Sequence, residues 1–146
     1  MCIRDRRKVA KKYSDLTLVY PVHLNPRVRE VVYEKLSNLT NILLIEPQEY
    51  ESFVWLMMNS RIIISDSGGI QEEGPALKKQ VVILRDTTER PEVVDAEWGQ
   101  LAGTDPDRIL KCSQQALSVD VEKLPPNPFG NGKAAKQIID KMITTP

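Results

Sequence analysis

The residues best suited to chemistry stand in one short stretch, Ser65-Asp66-Ser67-Gly68-Gly69, with Glu72 and Glu73 close behind. An apolar run, RIIIS, stops there and a helical pattern begins. Glycines at the end of a buried strand allow a tight turn and close approach of backbone to a ligand, and the first N–H groups of the next helix point outward. Ser67 can add a hydroxyl donor. Each charge-assisted bond contributes roughly 1.5–3 kcal/mol, and the helix dipole about 0.3–2 kcal/mol more. A phosphate or diphosphate suits such a turn. The same residues also suit a plain tight turn, with Ser67 as N-cap and two solvated glutamates complementing the dipole. Glu72 and Glu73 point about 100° apart on a helix, so both cannot face one ligand. One of them can reach ribose hydroxyls, as carboxylates do in nucleotide sites.

A second loop, RDTTERPE (Arg85 to Glu92), follows the next apolar run. In an open parallel sheet both loops gather at the carboxyl ends of the strands, where ligands bind. Arg90 can neutralise a phosphate or hold a sugar, because guanidinium offers a fixed fork of donors. It can equally pair with Glu89 or Glu92. His23, the single histidine, ends an earlier apolar run, and its position fits a structural role as well as a ligand. The chain assembles no Ser/His/Asp triad, metal cluster or Walker loop, so no metal and no cofactor are expected.

Composition sets further bounds. The 146 residues suit one domain, and 41% hydrophobic content supports a real core. Lysine and arginine number 20, matching 20 aspartates and glutamates, so no global basic field exists to hold nucleic acid or an anionic membrane. Cys2 and Cys112 have no metal or disulfide spacing, which points to a reducing, cytoplasmic setting. The apolar runs are too short to span a bilayer. Residues 1–7 are charged and patternless and are expected to be a foreign-looking or disordered start, with one domain over 8–146.

The elements that must position these loops alternate regularly. Leu16 to His23, Asn41 to Pro47, Arg61 to Asp66 and Gln80 to Asp86 read as strands. Helical spacing connects them: Val28, Val31, Val32 and Leu36 after Pro26; Tyr50, Phe53, Val54 and Met57 on one face; a helix from near Gly69. Thr87 to Gln100 reads as a loop before a short apolar piece at Leu101. Asp105-Pro106 then opens a helix carrying Ile109, Leu110, Cys112 and Leu117. NPFGNG is turn chemistry, and a final amphipathic helix covers about Lys133 to Ile143. Unalternating strands each followed by a helix mean an α/β, Rossmann-like parallel sheet sandwiched by helices. Such a domain usually opens with a strand, yet only helix precedes Leu16.

Six segments in order, YPVHLNPRVRE, EPQEYESFVWLM, SDSGGIQEEGPAL, VVILRDTTERPEVVDA, GTDPDRI and NPFGNGKAA, closely resemble the C-terminal half of the non-hydrolysing UDP-N-acetylglucosamine 2-epimerases. The resemblance runs from about Lys8 onward. It implies the C-terminal domain of a GT-B-type fold, missing its first strand, and an enzyme that interconverts UDP-N-acetylglucosamine and UDP-N-acetylmannosamine. It assigns Ser67, Gly68 and Gly69 to the diphosphate, Glu73 rather than Glu72 to the ribose, Gln48 and Phe53 to the uridine, and Arg90 to substrate. His23 matches a histidine linked to a second, regulatory UDP-N-acetylglucosamine. The reaction implied is elimination of UDP to a 2-acetamidoglucal and re-addition on the opposite face. The family's acid-base groups lie in an N-terminal domain and a GHRREN segment, so no catalytic residue is assigned here and the chain is expected to be inactive alone. A homodimeric full-length protein is implied. The other readings are a stand-alone UDP-sugar-binding module and the donor domain of a GT-B glycosyltransferase. Glu97 replaces a usual glycine, which bears on that loop's backbone. Lys78-Lys79-Gln80 replaces Gly-Lys-Pro, with little effect expected.

Overall fold

β-Branched and leucine-rich runs form the strands. The computed structural model describes residues 3–144, so Met1 and Cys2, part of the expected 1–7 start, lie outside the described residues. In chain order the elements are α1 (Ile3–Lys12), β1 (Leu18–Pro21), α2 (Pro26–Leu36), β2 (Ile42–Ile45), α3 (Tyr50–Met58) and β3 (Ile62–Ser65). Then follow α4 (Gly68–Ala76), β4 (Gln80–Ile83), α5 (Pro91–Asp95), β5 (Gly99–Leu101), α6 (Pro106–Ser118), a 3-10 turn (Val121–Lys123) and α7 (Ala134–Thr144). Local chemistry explains the helix starts. The side-chain Oδ1 of Asn25 accepts from the Arg27 N–H at 3.0 Å beside Pro26. The Asp105 carboxylate accepts from the N–H groups of Asp107 and Arg108 at 3.0 and 2.9 Å. This is the structural content of GTDPDRI: a capped helix start. Thr87 to Gln100, read as loop, contains the short α5; Pro91 in its first turn has no N–H to leave unpaired.

All strand pairs are parallel, but they fall into two pieces, β1–β2 and β3–β4–β5. The pieces meet under α1. Val9 of α1 joins Val82, Leu84, Ala102, Ile109 and Ala116 in one cluster, while its neighbour Ala10 joins Val22, Val32, Leu36 and Ile42 in another. Leu18 packs against both. One helix therefore straddles the seam. Among the described residues no strand pairs with the outer edge of β1 or of β3.

β4 is the centre of the larger piece and is buried throughout. Its side chains alternate between layers. Val81 and Ile83 pack with Met57, Ile63, Ile70, Val93 and Trp98 under α3, α4 and α5, and Val82 faces α1 and α6. Contact on the first face is very close: a Cβ added at Gly74 of α4 would lie 2.3 Å from Val81 Cγ2. The expected face of α3 is borne out at Met57, Phe53 and Val54. Tyr50 is instead 66% exposed and turns toward α4.

The backbone carries its strain where the sequence departs from the resembled family. Lys78 (φ 55°) and Glu97 (φ 61°) are the non-glycine residues with left-handed backbone among those described. A side chain there costs about 1–2 kcal/mol, so the replacement at Lys78, expected to matter little, does carry a backbone cost. Lys78 follows α4, where its N–H reaches Pro75 O at 3.1 Å and that of Lys79 reaches Gly74 O at 2.8 Å. Buried Gln80 braces the second position by donating from Nε2 to the Glu97 carbonyl at 2.7 Å. Its Oε1 is the buried side-chain atom left without a hydrogen bond among the described residues.

Candidate functional site

Two loops leave neighbouring parallel strands at the same edge. One runs from Ser65 at the end of β3 into α4, the other from Leu84 after β4 to α5. Their roots are tied by the Leu84 N–H, which donates to the Ser65 carbonyl at 3.0 Å. Ser67 occupies the N-cap position of α4 with extended backbone (φ −76°, ψ 133°), but its side chain makes no capping bond. Its own N–H donates to Ser65 Oγ at 3.1 Å. The opening N–H groups of α4 thus lack the side-chain cap that the plain-turn reading supplied, and the helix dipole leaves positive potential there.

Arg90 reaches that turn. A Cβ built on Gly68 would lie 3.0 Å from Arg90 Nη1, 3.2 Å from its Cζ and 2.8 Å from Glu89 Oε1. Gly68 has no positive φ, so what crowds this position is the ends of two flexible side chains, Arg90 and Glu89, and not an unusual turn. Gly69 has open space around it: a Cβ there would meet nothing nearer than Ser67 Oγ at 3.9 Å. Helix start and cation coincide at this turn.

The cation is already paired. Arg90 Nε donates to Glu72 and its Nη1 to Glu89 Oε1 at 2.8 Å, while Arg85 donates to the other oxygen of Glu89 at 2.8 Å. The bond to Glu72 holds Arg90 above its usual pKa. Backbone hydrogen bonding at Glu89, together with Arg85 and Arg90, holds its carboxyl below the ordinary range. Sequence reasoning left Arg90 open between ligand and surface pairing; it has carboxylate partners on both sides and still lies on the turn.

Glu73 goes elsewhere, as the helical offset requires. It is half-buried and accepts from the Tyr50 hydroxyl at 3.3 Å. That contact joins the start of α3 to α4, and the negative charge of Glu73 raises the Tyr50 pKa. Gln48, exposed before α3, folds its amide back onto the Glu46 carbonyl at 2.7 Å. Phe53 packs half-buried against the larger core cluster. His23 is exposed, and its Nδ1 accepts from the Asn25 N–H at 3.1 Å. It braces the turn before α2 and makes no hydrogen bond with α4 or with residues 84–90 among the described residues.

Sequence reading missed two residues at the centre of this arrangement, Gln71 and Thr88. The Thr88 hydroxyl donates to Gln71 Oε1 and accepts from the Arg90 N–H at 3.1 Å. Gln71 is fully buried. A signal existed: Gln71 shares a helical face with Gly74 and Pro75, both buried, and a polar side chain on a buried face needs a partner.

With this geometry established, the comparisons are decisive. The family described as UDP-N-acetylglucosamine 2-epimerase matches residues 3–143. The chain belongs to that family. UDP-N-acetylglucosamine 2-epimerases of Salmonella borreze and Escherichia coli K12 are each 46% identical to it, over 145 and 138 residues. The match covers 96% and 92% of this chain but 38% and 37% of those proteins, so the chain spans less than two-fifths of their length. The UDP-GlcNAc 2-epimerase of Neisseria meningitidis, solved bound to UDP-GlcNAc, superposes with a TM-score of 0.86 at 44% identity. It matches 98% of this chain and 40% of its own. The Methanocaldococcus jannaschii epimerase, solved with UDP-GlcNAc and UDP, gives 0.82 at 31% identity, again over 98% and 40%. These likenesses bear out the Rossmann-like, GT-B-type α/β assignment. Among the described residues no helix is long and apolar enough to cross a membrane.

Proposed function

We propose that this chain is the UDP-sugar-binding part of a UDP-N-acetylglucosamine 2-epimerase. The observation that carries the reading is the Arg90 guanidinium against Gly68 at the uncapped start of α4. Oriented N–H donors and a fixed cation at one turn suit a diphosphate. In this reading Ser67, Gly68 and Gly69 hold the diphosphate and Arg90 neutralises it, exchanging carboxylate oxygens for phosphate oxygens. Glu73 releases Tyr50 to accept ribose hydroxyls. Gln48 and Phe53 border the uracil from the α3 side. His23 would contact a second, regulatory nucleotide sugar.

The reaction breaks the sugar C2–H and C1–O bonds, expelling UDP and leaving a 2-acetamidoglucal. Re-addition of UDP and a proton on the opposite face gives the epimer. Removing the C2 proton needs a positioned base, and none of the residues around the turn is assigned that task. We therefore take the chain to hold the nucleotide and to be inactive alone, acting within a homodimeric, cytoplasmic full-length enzyme.

Calorimetry with UDP tests the binding role. Heat is expected with the wild-type chain, reduced roughly tenfold or more in affinity by Ser67→Ala or Glu73→Ala, since a bond to a charged group contributes about 1.5–3 kcal/mol. No heat, or unchanged affinity in both variants, overturns the reading.

A further inference from the structure

The two loops of the site are tied to each other by a partly buried polar relay through the buried Gln71, which the binding reading does not use. We infer that Gln71 is a positioning residue: it sets the Arg90 loop against the turn at Ser67, and so fixes the distance between cation and helix start. The inference rests on the proposed UDP site.

The relay runs through atoms of known polarity. The Arg90 N–H donates to Thr88 Oγ1 at 3.1 Å, and the Thr88 hydroxyl donates to Gln71 Oε1. Gln71 Nε2 then donates to the Ser67 carbonyl at 3.4 Å, one helical turn back. Each group acts as donor and acceptor in turn, so the bonds polarise one another. Gln71 is 0% exposed, and neither of its polar atoms is left unsatisfied. A side chain that only filled the space between α4 and the sheet needs no amide there; Ile70 beside it is buried in the core cluster without one. Burying an amide costs free energy unless both ends are bonded. The arrangement is selective: Ser67 and Arg90, the two ends, are the residues assigned to the diphosphate.

Geometry gives this relay leverage. The guanidinium clears Gly68 by so little that an added Cβ would lie 3.0 Å from Nη1. The salt bridges to Glu72 and Glu89 are partly exposed, and such pairs hold a long side chain weakly. The relay, held at the fully buried Gln71, anchors the backbone of Arg90 instead. Freed from it, the loop can drift by an ångström, and a misplacement of that size in a binding constellation is felt.

The test uses the whole chain and near-isosteric variants, Gln71→Met and Thr88→Val, with Thr88→Ser as the conservative control. UDP and uridine binding are followed by NMR titration, and exchange of the Arg90 amide is measured without ligand. Gln71→Met is expected to weaken UDP about tenfold and leave uridine unchanged, because the ribose and uracil contacts do not pass through the relay. The double variant should be no weaker than Gln71→Met alone, Thr88→Ser should keep wild-type affinity, and the Arg90 amide should lose protection in Gln71→Met and Thr88→Val. A purely structural Gln71 would lower thermal stability while preserving the ratio of UDP to uridine affinity, and that result overturns the inference. If the wild-type chain binds neither ligand, the site reading falls separately. The relay is then judged by amide exchange alone, and an Arg90 amide equally protected in Gln71→Met overturns it.

Discussion

Tyr50 and Glu73 set an exchangeable contact at the edge of the site. The hydroxyl must be protonated to donate, and the charge of Glu73 is the main cause of the raised Tyr50 pKa. The contact therefore holds at neutral pH and is lost as pH climbs through that raised value. Glu73→Gln removes the charge and should bring Tyr50 back toward the ordinary value near about 10, read from its ring resonances in an NMR titration. An unchanged midpoint would show that Glu73 does not govern Tyr50. At this scale the sequence was partly legible. The offset between Glu72 and Glu73 follows from helical geometry alone, and their divergent partners agree with it. Tyr50 was misread as part of the apolar face because tyrosine is amphipathic: its spacing matches Phe53 and Met57, and only the tertiary position of α4 decides where the hydroxyl goes. Gln71 could be suspected from its place on the buried face of α4, but its partner Thr88 could not, because a hydrogen bond between residues 17 apart leaves no local pattern.

The connection from α5 to β5 shows how an element absorbs an awkward residue. Glu97 is held at φ 61° between the Ala96 cap of α5 and the buried Trp98, whose indole N–H donates to the Pro125 carbonyl at 2.9 Å. Gln80 Nε2 supports the Glu97 carbonyl from β4. Relief of the left-handed strain is worth about 1–2 kcal/mol, and the greater unfolded-state freedom of glycine takes back about 0.4–1 kcal/mol. Glu97→Gly should then stabilise the chain by about 0.5–1 kcal/mol and raise Tm by roughly 1–4 °C. A fall in Tm on calorimetry would mean that the glutamate side chain contributes more than its backbone costs. Elements themselves were the most legible level. The runs LVYP, ILLI, IIIS and QVVI lie inside the strands expected, with frayed ends because only the central residues find ladder partners. The short α5 was hidden in RPEVVDA, too brief to display a helical period.

Across the whole molecule, cohesion is uneven. β4 has partners on both sides and packing on both faces, whereas among the described residues β1 pairs only with β2, and this pair leaves Val19 and Leu43 exposed. Native-state hydrogen exchange should therefore find α2, β1 and β2 opening at lower free energy than β3, β4 and β5, as separate cooperative units do. Equal protection in both pieces would mean that α1 makes them one unit. Sequence periodicity could announce parallel strands but not this division, because pairing partners are set by topology and not by composition. The seam has a mechanical meaning as well. A load drawn across it meets the side-chain packing of α1 and of Leu18, with no backbone ladder to be broken in the described residues. Yield would run along a line, leaving both strand sets intact, and the turn that carries Arg90 would ride undamaged on the stronger side.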